Sequence, residues 1–252
     1  MKGQNNNSAD EGRTDWRKLK SLILLVGALF AGQTKAQERP FYQGASLDTR
    51  IASQYLAGKA GFIIEDEPVM QNCLNIDTKA GSFYAWSNTI IDSKDTSEVD
   101  LGWISPAATS AHFGANLTVG TYTYPNSEKN WKEWDLEAGV NFFARGLPLN
   151  ANLYVATSLT ANGDSSNLVK LTAGKSFDLG KFKTGLEGSV VYSDKYYSKD
   201  KGFSHATIRA ELAREITKGP ELYVYGIVQE ELGRFEKVED SVMGGAGVRY
   251  KF

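Results

Sequence analysis

The chain has 252 residues and a formal net charge of −2, with 25 glycines, 12 tyrosines, six prolines and one cysteine. The near-balanced charge gives no basis for a nucleic-acid partner, and none is expected. The single Cys73 excludes an internal disulfide and a cysteine-based metal cluster. Abundant glycine and tyrosine with little proline favour a β-rich chain with tight turns.

The N-terminal region has the pattern of a secretory signal peptide. A basic flank that begins at Trp16 precedes an apolar run from Leu22 to Ala31, and a polar stretch then leads to Ala36. The run is too short to span a bilayer as a helix, which takes about 20 apolar residues. We therefore expect residues 1–36 to be a cleaved signal peptide and residues 37–252 to be the exported domain.

Apolar and polar residues alternate in segment after segment of the exported part. Around residue 137, for example, Leu136 and Val140 share one face while Asp135 and Glu137 share the other. Successive side chains of a strand point to opposite sides, so this period indicates strands with one apolar and one polar face. Only the segment 208–216 also fits a helix. The predicted strands cover residues 46–57, 68–79, 82–91, 97–104, 112–124, 131–145, 148–161, 166–177, 181–192, 203–216, 220–232 and 241–252.

The connections between these strands alternate in length. Compact connections lie near residues 78–81, 145–148, 178–180 and 217–220, and longer charged ones separate them, with 105–111 as an exception. Transmembrane barrels have short periplasmic turns and longer outer loops. We therefore predict an all-β fold, a transmembrane antiparallel up-and-down β-barrel of about 12 strands. A soluble lipocalin-like barrel has the same period and remains an alternative.

The last predicted strand ends on an aromatic residue, Phe252. It resembles the terminal strand of bacterial outer-membrane β-barrels, in which a final Phe commonly serves as the assembly signal. The resemblance implies that Tyr250 and Phe252 form this signal and that the chain resides in the outer membrane of a Gram-negative cell. The implied partners are the barrel assembly machinery, outer-membrane lipid and lipopolysaccharide. Aromatic residues near other strand ends, including Tyr122 and Tyr124, are expected to form interface girdles.

A second resemblance lies in two neighbouring segments. Residues 81–88 read Gly-Ser-Phe-Tyr-Ala-Trp-Ser-Asn, and residues 98–102 read Glu-Val-Asp-Leu-Gly. They are similar to a family of uncharacterised proteobacterial porin-like proteins, in which an aromatic-small-Trp-small-Asn strand precedes a Glu-x-Asp strand. The resemblance implies a pore-forming barrel.

The polar strand faces carry charged residues that line a lumen if the apolar faces meet lipid. Rings of one sign select ions of the other sign. The signs here are balanced, so we expect no strong selectivity, and Phe143, Tyr154 and Met243 are expected to point inward and narrow the lumen. The predicted pore-lining residues are Asp135, Glu137, Arg145, Lys183, Glu187, Arg209, Glu211 and Arg249.

These features favour a small passive channel for ions or small solutes that needs no cofactor or metal and has no catalytic residues. A closed structural or adhesive barrel acting through its outer loops is one alternative. An outer-membrane lipid hydrolase that uses His205 is another. Adjacent strand residues face opposite ways, so Ser204 and His205 are not expected to hydrogen-bond, whereas Ser189 or Ser193 could approach the imidazole.

Overall fold

The computed structural model describes residues 42–57, 59, 61, 63–125, 134–160, 164–196, 200–216, 219–233, 235 and 238–252. The predicted signal peptide lies outside these residues and stays a prediction. Within the described ranges, no helix is long and apolar enough to cross a membrane.

Twelve long antiparallel strands form one closed barrel in the described part of the chain, as predicted. Each pairs with its neighbours along the barrel, and the first strand pairs with the last, so that the sheet has no open edge. The barrel strands are β1 (Tyr42–Ala52), β4 (Val69–Thr78), β5 (Gly81–Ile90), β6 (Thr96–Ile104), β8 (Phe113–Thr123), β9 (Trp134–Ala144), β10 (Asn150–Thr160), β11 (Ser165–Leu179), β12 (Phe182–Asp194), β13 (Lys201–Glu215), β14 (Glu221–Glu231) and β15 (Ser241–Lys251). The short strands are β2 (Tyr55–Leu56), β3 (Ile63–Glu65) and β7 (Ala108–Thr109).

The first strand departs from its predicted bounds. The prediction placed it at 46–57, but β1 ends at Ala52 and the chain bends before Tyr55. Tyr55 and Leu56 leave the barrel wall and pair with β3 instead. Both side chains are buried, which explains why the sequence remains apolar at residues 55 and 56 although β1 has already ended. The segment 208–216, which also fitted a helix, is strand through residue 215.

The apolar face of the barrel points outward. Val242, Ile208 and Leu186 are 73%, 60% and 55% exposed, and similar aliphatic residues recur around the wall. Soluble monomers rarely expose apolar surface on this scale. The inward faces instead carry polar and charged residues such as Glu137 and Gln229. This arrangement belongs to a transmembrane barrel and excludes the lipocalin-like alternative, whose apolar face would point inward.

The connections sort to opposite ends of the barrel. Short turns, such as those after Thr78 and Leu179, lie at one end, which we call the short-turn end, together with the longer connection between β6 and β8. The other longer connections lie at the opposite end, the loop end. Phe252 also lies at the short-turn end, where its backbone N–H donates to the Ala45 carbonyl at 2.9 Å. The Phe252 ring packs against Tyr250 with centroids 4.6 Å apart.

Inward tyrosine rings lie on glycines of neighbouring strands. The Tyr154 ring covers Gly139, and the Tyr84 ring extends over Gly102 toward Gly120. A side chain at any of these glycines would overlap the ring beside it. Glycine therefore allows each ring to lie along the wall, so that its hydroxyl reaches residues further around the barrel.

We predict that Gly139→Ala destabilises the barrel by about 1–3 kcal/mol, because the new methyl group forces the Tyr154 ring off its rotamer. The measurement is urea unfolding in lipid vesicles. Gly185→Ala is the matched control, since the nearest atom to its methyl group would be Ser176 Oγ at an ordinary 4.0 Å. Equal stability of the two variants would contradict the role assigned to Gly139.

Candidate functional site

The described residues of the connection between β1 and β4, namely 53–57, 59, 61 and 63–68, enter the barrel; we call this connection the first loop. Its Lys59 places the ammonium Nζ 2.5 Å from Glu137 Oε1 on β9. The same Nζ donates to the hydroxyl of Tyr122 on β8 at 2.7 Å. The first loop is thus tied to the barrel wall by an ion pair inside the lumen.

Glu137 is the centre of this arrangement, and its side chain is only 1% exposed. The hydroxyls of Tyr122 and Tyr154 donate to Oε1 at 3.0 and 2.6 Å, and the Tyr196 hydroxyl donates to Oε2 at 2.6 Å. A buried carboxylate is costly unless it is paired and hydrogen-bonded, and here both conditions are met. We call Glu137, Lys59 and these tyrosines the Glu137 clamp.

Tyr196 lies beyond the end of β12, in the connection to β13. Burial, with the nearby Glu137 charge as a second cause, raises the pKa of the Tyr196 phenol well above its ordinary value. The phenol therefore keeps its proton at every physiological pH and remains a donor to the carboxylate. The connection between β12 and β13 is therefore also attached to the Glu137 clamp, through Tyr196.

Two further contacts hold the first loop. The Tyr55 hydroxyl donates to Glu98 Oε2 at 2.6 Å, and the Tyr55 ring lies 5.4 Å from that of Trp86. On the opposite side, Gln229 Nε2 donates to the Gly61 carbonyl at 2.6 Å. Gly61 has φ +77°, a conformation that favours glycine, and any side chain there would overlap the His205 ring. The loop is therefore anchored on both sides of the lumen.

In the part of the chain that the structure describes, two cavities lie inside the barrel. The upper chamber, about 400 Å³, lies against the first loop, and the lower chamber, about 340 Å³, lies nearer the short-turn end. The upper chamber is lined by Arg50, Tyr55, Leu56, Ala57, Lys59, Ile64, Cys73, Tyr84, Trp86, Glu98, Asp100, Tyr122, Tyr124, Lys170 and Tyr196. The lower chamber is lined by Asn150, Asn152, Thr172, Gly174, Lys175, Ser176, Asp178, Lys183, Thr184, Gly185, Leu186, Glu187, Arg209, Glu211, Ala213, Glu221 and Arg249.

An ion-pair network centred on Arg249 forms part of the lower chamber. The Arg249 guanidinium contacts Glu221 at 2.7 Å, Asp48 at 3.2 Å and Glu211 at 3.3 Å. Arg209 pairs with the other oxygen of Glu211 at 2.8 Å. These charges come from β1, β13, β14 and β15, so the network bridges the closure of the barrel. Opposite signs alternate within it, and no ring of one sign forms.

The predicted pore-lining residues occupy three places. Lys183, Glu187, Arg209, Glu211 and Arg249 line the lower chamber. Asp135 and Glu137 are buried inside the barrel near the first loop. Arg145 lies just beyond the end of β9, exposed at the short-turn end, where its guanidinium donates to the Ser110 carbonyl at 2.9 Å. Whether these residues line a conducting path remains a prediction.

Several side chains of the clamp and of the upper chamber were not among the residues predicted from the sequence. Lys59 sits in a charged loop with no periodic pattern, so nothing in the sequence marks it. Glu98 and Asp100 lie on the polar face of a predicted strand and could have been identified from that period. Tyr122 and Tyr124 were expected in an interface girdle, but both line the upper chamber. Tyr122 shares its strand face with Gly120, over which the inward Tyr84 ring extends, so this face of β8 points into the lumen.

The prediction for His205 was wrong in two respects. The notion of His205 as a histidine near the outer end of its strand, in water, fails because the side chain is fully buried, and the expectation that Ser204 and His205 do not meet fails because His205 Nδ1 lies 2.9 Å from Ser204 Oγ. The β12–β13 register shifts here, since Val191 faces His205 while Tyr192 faces Phe203, and this irregularity brings adjacent side chains together. Ser189 bonds Thr207, and Ser193 bonds the Tyr196 backbone. The Ser204–His205 pair is buried, and the His205 ring lies against Gly61 of the first loop.

The fold is similar to that of solved outer-membrane porins and channels. The KdgM porin in complex with disordered oligogalacturonate superposes with a TM-score of 0.54 at 14% identity, covering 82% of this chain and 99% of that one. The NanC porin gives 0.54 at 12% identity, over 82% and 98%. An outer-membrane channel from Pseudomonas putida F1 gives 0.52 at 10% identity, over 87% and 99%.

At these identities the likeness concerns the fold. No family model matches the chain, and no curated protein matches it. The resemblance of residues 81–88 and 98–102 to uncharacterised porin-like proteins therefore stays a prediction. The resemblance to outer-membrane β-barrels is confirmed by the strand arrangement and by these structures.

We predict that Lys59→Met lowers the free energy of unfolding by about 3 kcal/mol, because it leaves the Glu137 carboxylate buried without its cation. Adding Glu137→Gln should recover part of the loss, since the unpaired charge is then gone. Urea unfolding in lipid vesicles measures both effects. Lys201→Met, which removes an exposed pair with Asp194 at 3.3 Å, should cost under about 1 kcal/mol. A loss in Lys59→Met no larger than in this control would contradict the clamp.

Proposed function

We propose that the protein is a small passive channel of the bacterial outer membrane, through which ions or small polar solutes diffuse. The observation that carries the proposal is a barrel with an apolar exterior whose interior holds two chambers, the lower lined mainly by polar and charged residues and the upper by aromatic, apolar and charged residues. A barrel that served only as a membrane anchor could fill its interior with packed apolar side chains. The porin folds of KdgM and NanC support the same function.

Passage through the lower chamber would depend on mixed charges. Lys183, Arg209 and Arg249 face Glu187, Glu211 and Glu221 within one cavity. Conduction requires sites that attract a solute without holding it, and alternating charges that already pair with each other meet that requirement. We therefore propose weak selectivity among small solutes, by size more than by charge.

The first loop sets the size limit in this proposal. It crosses the lumen at the Glu137 clamp, between the loop end and the upper chamber. A solute would have to pass beside Lys59 and the tyrosines that surround it. The channel would therefore have a small conductance, and residues of the clamp would control it.

We predict that the purified, folded barrel conducts ions in planar lipid bilayers. The Lys59→Ser/Glu137→Gln double variant should conduct more per channel, because it removes the ion pair that holds the first loop in the lumen. Lys201→Ser, at an exposed pair outside the lumen, should leave the conductance unchanged.

The same recordings separate a channel from a closed barrel. Heat-modifiable migration on a denaturing gel would first establish that each variant is folded. If neither the folded wild type nor the folded double variant carries a current, the channel proposal is refuted. That outcome would favour a structural or adhesive barrel that acts through its outer loops.

The proposal extends to assembly. Tyr250 and Phe252 would form the signal for the barrel assembly machinery, and outer-membrane lipid with lipopolysaccharide would surround the apolar belt. We predict that deletion of Phe252 reduces the yield of inserted barrel in cells, because it removes both the ring packing on Tyr250 and the backbone bond to Ala45. Phe252→Tyr keeps both contacts and should insert normally. Unchanged insertion of the deletion variant would refute this role.

A further inference from the structure

A groove of about 580 Å³ lies on the outside of the barrel, across β13, β14, β15 and β1. Two adjacent cross-strand rows of outward side chains border it, one of Arg214, Leu222, Val248 and Thr49 and the other of Leu212, Val224, Ala246 and Ile51. Ala246 has the shortest side chain of the eight and leaves a depression between Val224 and Ile51, its neighbours on the adjacent strands. Because this wall faces the bilayer, hydrocarbon chains are the groups available to fill the groove.

One charged side chain lies at the rim of this apolar groove. The guanidinium carbon of Arg214 lies 5.5 Å from the centroid of the Phe182 ring, and both residues border the groove. Among the residues that the structure describes, no carboxylate forms an ion pair with this guanidinium. A guanidinium that stacks on an aromatic face keeps its N–H edges available for other acceptors. The groove therefore ends at a cation whose donors can meet a ligand.

The position of Arg214 in the strand determines which lipids it meets. It is the second-last residue of β13, at the short-turn end of the barrel. Short turns of outer-membrane barrels lie on the periplasmic side, so the guanidinium lies near the headgroups of the periplasmic leaflet, which consists of phospholipid. Arginine binds phosphate through two parallel N–H···O bonds. Basic side chains at a membrane surface also attract anionic lipids in particular.

Lys175 provides a comparison on the same side of the wall. Its ammonium lies 5.3 Å from the centroid of the Phe177 ring, and it faces outward because it lies opposite the exposed Leu186. Near the short-turn end, Lys175 and Arg214 are the charged residues on the outward faces of the described strands. Lys175 repeats the stacking of a cation on a phenylalanine ring, but it does not border the groove.

We propose that this groove binds one anionic phospholipid of the periplasmic leaflet. The lipid phosphate accepts N–H bonds from Arg214, and an acyl chain lies along the groove over Ala246. A zwitterionic headgroup binds more weakly, because its own cation offsets the attraction to the guanidinium. This inference goes beyond the proposed function: it requires a barrel in the outer membrane but no passage through the lumen.

The test is native mass spectrometry of the folded barrel, titrated in detergent with dioleoylphosphatidylglycerol. We expect one tightly bound lipid per barrel, with an affinity at least about tenfold lower in Arg214→Gln, which removes the charge that pairs with the phosphate. Lys175→Gln is the matched control and should bind like the wild type, because its cation lies outside the groove. Heat-modifiable migration on a denaturing gel establishes that each variant is folded.

A second variant and three further ligands separate the headgroup from the chain. Ala246→Leu fills the depression but keeps the charge at the rim, so it should weaken binding several-fold. Dioleoylglycerol has the chains without the phosphate, and glycerol 3-phosphate has the phosphate without the chains. Each should bind much more weakly than the whole lipid. Dioleoylphosphatidylethanolamine, which has the same chains and a zwitterionic headgroup, should bind several-fold more weakly.

Several results would overturn the proposal. Binding of phosphatidylglycerol that is unchanged in Arg214→Gln would refute the headgroup contact, and binding that is unchanged in Ala246→Leu would refute the groove. Absence of a tightly bound lipid on the wild type would overturn the proposal, as would equally tight binding of dioleoylglycerol or of lipopolysaccharide. A barrel dimer that Ala246→Leu dissociates would identify the groove as a contact between two copies of the chain and would also overturn it.

Lipid binding does not depend on conduction, so this proposal and the channel proposal fail separately. A bound lipid without any current in bilayers would refute the channel and leave the lipid site standing. Current without tight lipid binding would refute the site and leave the channel standing.

Discussion

A single buried charge organises the interior of this barrel. Glu137 on β9 cannot remain ionised in the lumen wall without compensation, and its compensation comes from parts of the chain far apart in sequence. Lys59 arrives from the first loop, and the Tyr196 hydroxyl arrives from the connection after β12. The position of two connections inside the barrel is therefore set by the need to satisfy one carboxylate. The upper chamber is bounded by this loop, because Tyr55, Leu56, Ala57, Lys59 and Ile64 line it.

The glycines make that arrangement possible. Tyr154 reaches Glu137 because Gly139 leaves space for its ring against the wall. Tyr223 and Tyr225 lie on Gly247 and Gly245 in the same way at the far side, where Arg249 and Arg209 stack on their rings at 4.4 Å. Small residues on one strand and rings on the next thus determine which hydroxyls and charges meet in the lumen. The Glu137 clamp and the Arg249 network thus both depend on tyrosine rings that lie on glycines of a neighbouring strand.

The barrel could be predicted from the sequence, but the contacts inside its lumen could not. Strand period is a local property, so the twelve barrel strands and their two faces could be predicted from neighbouring residues, whereas the period alone does not say which face meets lipid. The first loop depends on contacts such as Lys59 with Glu137, which lie 78 residues apart. No local pattern encodes such a contact. The Ser204–His205 contact arises from a register shift, which alternation alone does not reveal. Arg145 was predicted to line the pore because the strand period of the sequence extends to it, but β9 ends at Ala144.

The closure of the barrel has a kinetic consequence. The strand pair β1–β15 joins residues about two hundred positions apart, as in the contact of Asp48 with Arg249 at a separation of 201. Contacts of such long range form slowly, because most of the chain must be ordered before they stabilise it. Until β15 arrives, both edges of the sheet present unpaired backbone groups, which hydrocarbon does not tolerate. A nascent barrel of this kind therefore needs a protected route to its membrane, with its final strand as the step that commits it.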